Sequence, residues 1–279
     1  MVYQPGLFFP NRAYEASAYV GGSWRAGFPA SNAGVRGFAD VSRSTTASAA
    51  DSQFIMDMGA TRAIRAVGLF GHNLTTSATL EVNVGTTSGG AEAYDGVASS
   101  CWPMSALQSS LSAYGIEEDL WYKDFWPIVV VLPAFASGRY VQFKISDTGN
   151  PAGFIEVATA FAGGGLLPGH GVDYQAFTDG FEDLSGVDYS PGGALWAYAR
   201  SRMRTQSFTM SWVSHTELAI IRELERQCGR TDDVLYVPDC NDMAYSQRYG
   251  FLGTLKELSQ AEYPSFDIRK KAFSLKERR

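Results

Sequence analysis

The residues with the richest chemistry lie in one long stretch of small and polar residues, 91–127. Its acidic run, Glu117, Glu118 and Asp119, could supply the two carboxylates, about 5 to 10 Å apart, that glycoside hydrolysis needs. A solvated acidic turn is the favoured interpretation of this run. The stretch also carries three tryptophans that could stack on sugar rings or pack between sheets and a partner subunit: Trp102, Trp121 and Trp126. Packing is favoured, and these three are the candidate ligand-binding residues if the stretch binds a glycan.

A second group of candidates is a run of alternating arginines. Arg200, Arg202 and Arg204 are separated by single residues, so an extended strand would place all three guanidinium groups on one face. Arginine favours paired hydrogen bonds to a carboxylate. The three residues are therefore candidates for a subunit interface with an acidic partner, and a solvated strand face is the alternative.

Motifs for catalysis, nucleotides and metals do not emerge from the sequence. Gly164 and Gly169 have the spacing of a phosphate-binding loop, but His170 and Gly171 follow where lysine and serine or threonine must stand. The three histidines form no metalloprotease or zinc-finger pattern, and no Gly-x-Ser-x-Gly nucleophile motif occurs. We predict a protein that is not an enzyme and has no cofactor, no metal and no catalytic residues.

The charge distribution excludes one class of partner and suggests another. A net charge of −6 argues against nucleic-acid binding, which needs clustered lysine and arginine. Residues 1–197 contain 9 basic and 18 acidic residues, whereas residues 198–279 contain 14 and 11. Because these parts have opposite signs, they should attract each other or like parts of neighbouring copies, which affects association rather than fold.

Targeting and membrane signals are weak. The first ten residues lack a basic start and a continuous apolar stretch, so we expect no signal peptide. The longest compact apolar run, residues 128–132, is far shorter than the roughly 20 residues that cross a bilayer, so no membrane insertion is expected. The three cysteines are widely spaced, which favours reduced thiols and folding in a reducing cytoplasm.

The N-terminal part is predicted to form strands. Phe54, Met56 and Met58 alternate with other residues, and the same period of two recurs around residues 80–84 and 141–145. Residues 128–132 are apolar throughout, as in a strand covered on both faces. We predict a mainly β protein with an antiparallel jelly-roll β-sandwich over residues 1–165, ending at the glycine-rich segment 162–171.

The remaining residues, 166–279, are predicted to form a smaller α+β unit with one main helix. Ser214 is a plausible helix cap with Glu217 at the third helical position. The apolar residues that follow share one helix face, and Gly229 is a natural stop: Leu218, Ile221, Leu224 and Cys228. Strands are expected on both sides of this helix, around residues 207–212, 234–238 and 266–275.

The N-terminal motifs match a known pattern. Residues 54–74, FIMDMGATRAIRAVGLFGHNL, are followed downstream by GRYVQFKISD at 138–147 and GFIEV at 153–157. This arrangement, over roughly residues 30–165, resembles the galactose-binding-like (discoidin-type) jelly roll, in which an Asp-x-Gly strand and an Arg-Tyr strand recur. The sugar-binding members of that family imply a possible cell-surface glycan as partner.

The C-terminal motifs resemble a different group. FTMSWVSHTEL at 208–218, VLYVPD at 234–239, YGFLG at 249–253 and FSLKE at 273–277 are similar to baseplate and distal-tail proteins of tailed bacteriophages. In that group a strand, helix and strand belt unit forms a ring and carries a β-sandwich that points outward, although here the sandwich comes first.

This resemblance implies a structural component of a phage tail tip or baseplate. It would assemble in the host cytoplasm, reside in the virion tail, and have other tail or baseplate proteins and further copies of itself as partners. The alternative is a host-glycan-binding module of a tail used for receptor adsorption. A tail-associated glycosidase is less favoured than either.

Overall fold

The computed structural model describes residues 4–102, 126–173 and 176–279. In chain order the strands are β1 (Gly6–Phe8), β2 (Ala18–Val20), β3 (Ser42–Arg43), β4 (Phe54–His72), β5 (Thr79–Gly85), β6 (Tyr94–Asp95), β7 (Ser99–Ser100), β8 (Ile128–Ser146), β9 (Glu156–Gly163), β10 (Gly165–Leu166), β11 (Thr178–Glu182), β12 (Gly186–Tyr189), β13 (Leu195–Tyr198), β14 (Met203–Val213), β15 (Val234–Val237), β16 (Phe251–Glu257) and β17 (Arg269–Glu277). The helices are α1 (His215–Cys228) and α2 (Met243–Tyr249), with single 3-10 turns at Arg12–Glu15 and Ala30–Gly34.

An eight-stranded antiparallel sheet forms the N-terminal sandwich. Its strand order is β3-β9-β4-β8-β5-β6, with β2 pairing with β4 and β7 pairing with β5. The alternating residues that the sequence assigns to the inner face are buried, and the Phe54 and Phe143 rings stack 4.8 Å apart. The prediction of a mainly β, antiparallel fold with a smaller α+β unit is confirmed.

The Asp-x-Gly and Arg-Tyr motifs meet in this sheet. Asp57 accepts hydrogen bonds from Arg139 Nε at 2.7 Å and Nη2 at 2.8 Å. It also accepts one from the Gly59 amide at 2.8 Å, where the chain adopts a φ of 73° that favours glycine. The Arg139 guanidinium lowers the pKa of Asp57 below its usual value. These motif residues therefore join β4 to β8 at the point where the pairing register shifts after Asp57.

A seven-stranded sheet forms the second unit, in the order β10-β1-β15-β16-β17-β14-β11. Its apolar residues alternate between two clusters. Leu7 and Tyr236 join the cluster that contains Leu218 and Ile221 of α1, whereas Phe8 joins the cluster that contains residues of the sandwich. Because successive strand residues point to opposite faces, one face of this sheet packs on α1 and the other on the sandwich.

The two sheets are not built from two consecutive parts of the chain. Strand β1, at residues 6–8 of the predicted 1–165 unit, pairs with β10 and β15 of the second sheet. The apolar residues of 128–132 face two different clusters, since Val130 packs on the sandwich core and Val129 and Val131 pack against the sheet. The continuous apolar run is thus explained by a strand covered on both sides. The division at residue 165 stays a prediction.

A buried polar contact joins the two units. The Asp233 carboxylate is fully buried and accepts hydrogen bonds from the Tyr14 hydroxyl and the Arg278 guanidinium. Burial, followed by the charge of Asp233, raises the pKa of Tyr14. Helix α2 adds a second link, because Gln247 Nε2 donates to the Cys101 carbonyl at 2.6 Å.

The main helix has the predicted cap. The Ser214 side chain accepts from the Glu217 amide at 3.3 Å, and the Glu217 carboxylate accepts from the Ser214 amide at 2.8 Å. The four predicted inward residues of α1 are buried, and Gly229 ends the helix with a φ of 51°. The seven-residue α2 is a further helix that the sequence analysis does not anticipate. No helix in the described residues is long and apolar enough to cross a membrane.

Candidate functional site

Two of the three candidate tryptophans lie in the sandwich core. Trp102 and Trp126 are only 6% and 7% exposed, and their rings meet edge to face at 4.8 Å. Both rings belong to the buried core cluster, which agrees with the packing alternative; ligand binding by these residues stays a prediction. Trp121, together with Glu117, Glu118 and Asp119, lies outside the described residues.

His72 completes this aromatic group as a neutral imidazole. Its ring meets Trp126 edge to face at 4.5 Å. Nδ1 accepts from the Leu74 amide at 3.3 Å, so the ring proton is on Nε2, which lies 3.1 Å from the Trp126 carbonyl oxygen. Burial lowers the pKa of His72 to about 4. A second ring proton would displace the Leu74 hydrogen bond.

The alternating arginines do not share one environment. Arg204 is the second residue of β14 and is half-buried. It donates through Nε and Nη2 to Glu277 Oε1 at 2.9 and 2.6 Å. Arg202 is exposed and pairs with Asp183 at 3.3 Å, and Arg200 is exposed. Arg204 is thus engaged inside the chain, which leaves only Arg200 and Arg202 on a surface where a subunit could reach them.

A group of exposed apolar side chains lies on an arm whose hairpin the sequence analysis does not predict. The arm is defined as residues 183–202, which continue β11 and β14 beyond the seven-stranded sheet. Among the described strands, β12 pairs only with β13, around a turn in which the Gly193 amide donates to the Ser190 carbonyl at 2.8 Å. Its large apolar side chains are exposed, with Trp196 at 62%: Val187, Tyr189, Leu195, Trp196 and Tyr198. The hairpin signal was available in the alternation on either side of the Pro-Gly-Gly turn.

Cations and rings also gather at the edge of the sandwich. The arginine–phenylalanine cluster is defined as Arg25, Phe28, Arg43, Phe154 and Glu156. The guanidinium carbon of Arg43 lies 4.4 Å from the Phe28 ring centre and 4.7 Å from that of Phe154, and Arg25 lies 4.5 Å from Phe154. Arg43 Nε donates to Glu156 at 2.6 Å. Guanidinium, carboxylate and ring faces are groups that can bind sugar hydroxyls and pyranose faces.

All three cysteines carry free thiols, and Cys101 and Cys228 are buried. Burial raises the pKa of Cys101, Cys228 and Cys240 to about 12 in each case, so all three are protonated at neutral pH.

Within residues 4–102, 126–173 and 176–279, no group of three or more histidine, cysteine, aspartate or glutamate side chains could hold a metal ion.

Comparisons with known proteins give no family. No protein-family model and no curated protein sequence matches the chain. Three similar solved structures are the chitosan-binding module 1 of a chitosanase/glucanase from Paenibacillus sp. IK-5, a CBM32 module of a family 31 glycoside hydrolase from Clostridium perfringens, and an F-lectin from striped bass serum.

These similarities are distant. The chitosan-binding module is 15% identical, with a TM-score of 0.37, over 56% of this chain and 100% of its own. The Clostridium module is 13% identical, with a TM-score of 0.32, over 54% of this chain and 97% of its own. The F-lectin is 9% identical, with a TM-score of 0.38, over 99% and 93%. At TM-scores below 0.5 they support no conclusion about what this chain binds.

Proposed function

We propose that this protein is a structural component of a phage tail tip or baseplate. Its seven-stranded sheet and arm hold it in an oligomeric ring, and its β-sandwich faces outward. In this role it catalyses no reaction, binds no cofactor, and has other tail proteins and copies of itself as partners in the virion tail. The observation that carries the proposal is the exposed apolar arm.

The arm supports an assembly role for energetic reasons. An isolated two-stranded hairpin is marginally stable in water, because too little of its surface is removed from solvent. Exposed apolar clusters of this kind mark protein interaction sites. Covering Trp196 and its neighbours with a partner would stabilise both the hairpin and the assembly.

The first test of the proposal is the molecular mass of the assembly in solution. We expect the purified chain to form a defined oligomer of more than two copies, measured by light scattering over a range of concentrations. Electron microscopy of particles that lack the chain should then show an altered tail tip. A chain that stays monomeric at every concentration, or particles with an unchanged tip, would contradict the proposal.

A second candidate function is binding to a host glycan. The arginine–phenylalanine cluster favours it, since it combines two guanidinium groups with two aromatic rings at the edge of the sandwich. We expect a glycan array probed with the full chain to show binding that Arg25→Gln with Arg43→Gln removes. The matched control is Arg62→Gln, an exposed arginine outside the cluster. Binding that survives the double variant would contradict this site.

A further inference from the structure

We infer that a cavity at the β11 edge of the seven-stranded sheet binds a free α-amino acid with an aromatic side chain. This edge cavity has a volume of about 130 Å³ and is lined by residues of β11, β14, α2 and β16. Its lining supplies a carboxylate, an amide, a guanidinium and three rings: Asp179, Gln206, Arg248, Phe181, Tyr249 and Phe251. The inference goes beyond the proposed function and does not depend on it, because it assigns a small-molecule site to a protein whose proposed role is assembly.

The pairing register of β11 and β14 builds the floor of the edge cavity. Asp179 pairs with Gln206, and Phe181 pairs with Arg204. Residues directly opposite each other in an antiparallel pair share a face, with Cβ atoms about 5 Å apart, and so do residues two positions apart on one strand. The carboxylate and the amide are therefore neighbours on the floor, beside a ring and a guanidinium.

The Gln206 amide carries the inference. Gln206 is 3% exposed, and its Oε1 atom is buried without a hydrogen bond to any residue that the structure describes. A buried acceptor without a donor costs free energy, and a ligand that brings an N–H group to this oxygen removes that cost. Because Gln206 lines the cavity and the terminal torsion of glutamine is broad, the amide can turn its oxygen towards a ligand.

The charged groups around the cavity suit a zwitterion. Asp179 presents an exposed carboxylate, which with Gln206 Oε1 gives two acceptors for an ammonium group. The charge of Arg204 is matched by Glu277 Oε1 at 2.6 Å. Arg248 is held at the floor, because its carbonyl oxygen accepts from Arg204 Nη1 at 3.0 Å. A guanidinium has five N–H donors, so Arg248 can bind a ligand carboxylate beside its contacts inside the chain.

The rings select the side chain of the ligand. Phe251 is 1% exposed and Phe181 is 68% exposed, so the apolar lining extends from the core to the surface. The Arg248 guanidinium carbon lies 5.2 Å from the Tyr249 ring centre, which keeps a cation next to a ring. An aromatic side chain can pack on such rings. The cavity is smaller than the sites of about 300–1,000 Å³ that take drug-sized ligands, so a single amino acid is the class that it fits.

Three matched ligands test the assignment on the full chain. L-Phenylalanine has both an ammonium group and a carboxylate, phenethylamine lacks the carboxylate, and hydrocinnamate lacks the ammonium group. We expect calorimetry to show saturable binding of L-phenylalanine with a Kd of about 1 mM or tighter. Either analogue should bind at least about 10-fold more weakly, because one charged hydrogen-bonding group is missing. No saturable binding of L-phenylalanine, or equal binding of all three ligands, would overturn the inference.

Variants test whether the ligand occupies the edge cavity. Asp179→Asn should weaken L-phenylalanine binding at least about 10-fold, whereas Asp95→Asn, at an exposed aspartate of the sandwich, should not change it. Gln206→Met keeps the size of the side chain and removes the unpartnered oxygen. It should weaken binding about 10-fold and, without ligand, raise the midpoint of urea denaturation. The matched control is Gln142→Met, which removes a buried amide that donates to Gln53 at 3.1 Å and should lower the midpoint without changing binding.

The outcomes separate this site from the proposed function. If either Asp179→Asn or Gln206→Met binds L-phenylalanine as tightly as the wild type, the assignment to the edge cavity is overturned. A wild-type chain that assembles but does not bind L-phenylalanine would overturn this inference and leave the proposed function standing. A chain that binds L-phenylalanine but stays monomeric at every concentration would contradict the proposed function and leave the site standing.

Discussion

Two regions of the molecule are rich in aromatic residues, and the described rings are buried in one region and exposed in the other. Trp102 and Trp126, which border the stretch 103–125, are buried in the sandwich, whereas Trp196 and Tyr198 of the arm are exposed. Both regions connect strands, and both combine large rings with small polar residues. The comparison shows that residue type did not decide burial, and that the packing of the neighbouring strands did.

The difference has a simple structural cause. Trp102 follows β7 and Trp126 precedes β8, and both strands belong to the eight-stranded sheet. Because each ring is next to one of these strands, it lies in the core of the sandwich. In the arm, β12 pairs only with β13. No described element packs over that hairpin, so its rings remain available to a partner.

Removing one ring from each region should give the largest difference in the free energy of unfolding. Trp126→Ala should lower the free energy of unfolding by about 3–5 kcal/mol, because it leaves a cavity in a packed core. Trp196→Ala, measured at a concentration at which the chain is monomeric, should change the free energy of unfolding by less than about 0.5 kcal/mol. Urea denaturation of both variants measures the comparison, and equal losses would show that the arm packs on its own chain.

Arg204 and Arg202 give a second comparison between a buried and an exposed contact. Arg204→Met should lower the free energy of unfolding by about 3 kcal/mol, since it removes two hydrogen bonds to Oε1 of the buried Glu277 carboxylate and leaves Arg279, at 3.4 Å, as a more distant cation. Arg202→Met should cost less than about 0.5 kcal/mol, because its pair with Asp183 is exposed to solvent. Chemical denaturation of the two variants at low and high salt would test this, and a larger loss for Arg202→Met would reverse the assignment.

His72 makes the buried aromatic group sensitive to pH. Its pKa in the fold is about 4, below its ordinary value of about 6.5, so the unfolded chain takes up a proton first as pH falls. Stability contributed by neutral His72 is present above pH 6.5 and is lost between pH 6.5 and 4, by about 2 kcal/mol at pH 5. In His72→Gln this loss should disappear from unfolding curves measured between pH 8 and 5. The exposed His215→Gln should retain it.

The smallest expected effect concerns the charge on the arm. Asp188→Asn should change self-association by no more than about 2- to 5-fold at low salt and by nothing measurable at 1 M salt, since exposed ion pairs are weak and screened. Sedimentation at the two ionic strengths measures the difference. A variant that associates more tightly than the wild type would show that Asp188 faces other carboxylates in the contact.

The sequence by itself determined the local features. Period-two alternation at Phe54, Met56 and their neighbours, and the capping box of Ser214 with Glu217, specify strands and a helix because side-chain direction and end hydrogen bonds are local properties. The Asp57 and Arg139 motifs likewise mark strands, whereas the hydrogen bonds between the two side chains are seen only in the structure.

Only the tertiary structure decided which surfaces are covered. The placement of β1 in the second sheet, the burial of Arg204 against Glu277, and the exposure of Trp196 all depend on residues distant along the chain. Burial is a property of layers that meet in three dimensions, so the same ring type lies in a core at Trp126 and on a free hairpin at Trp196.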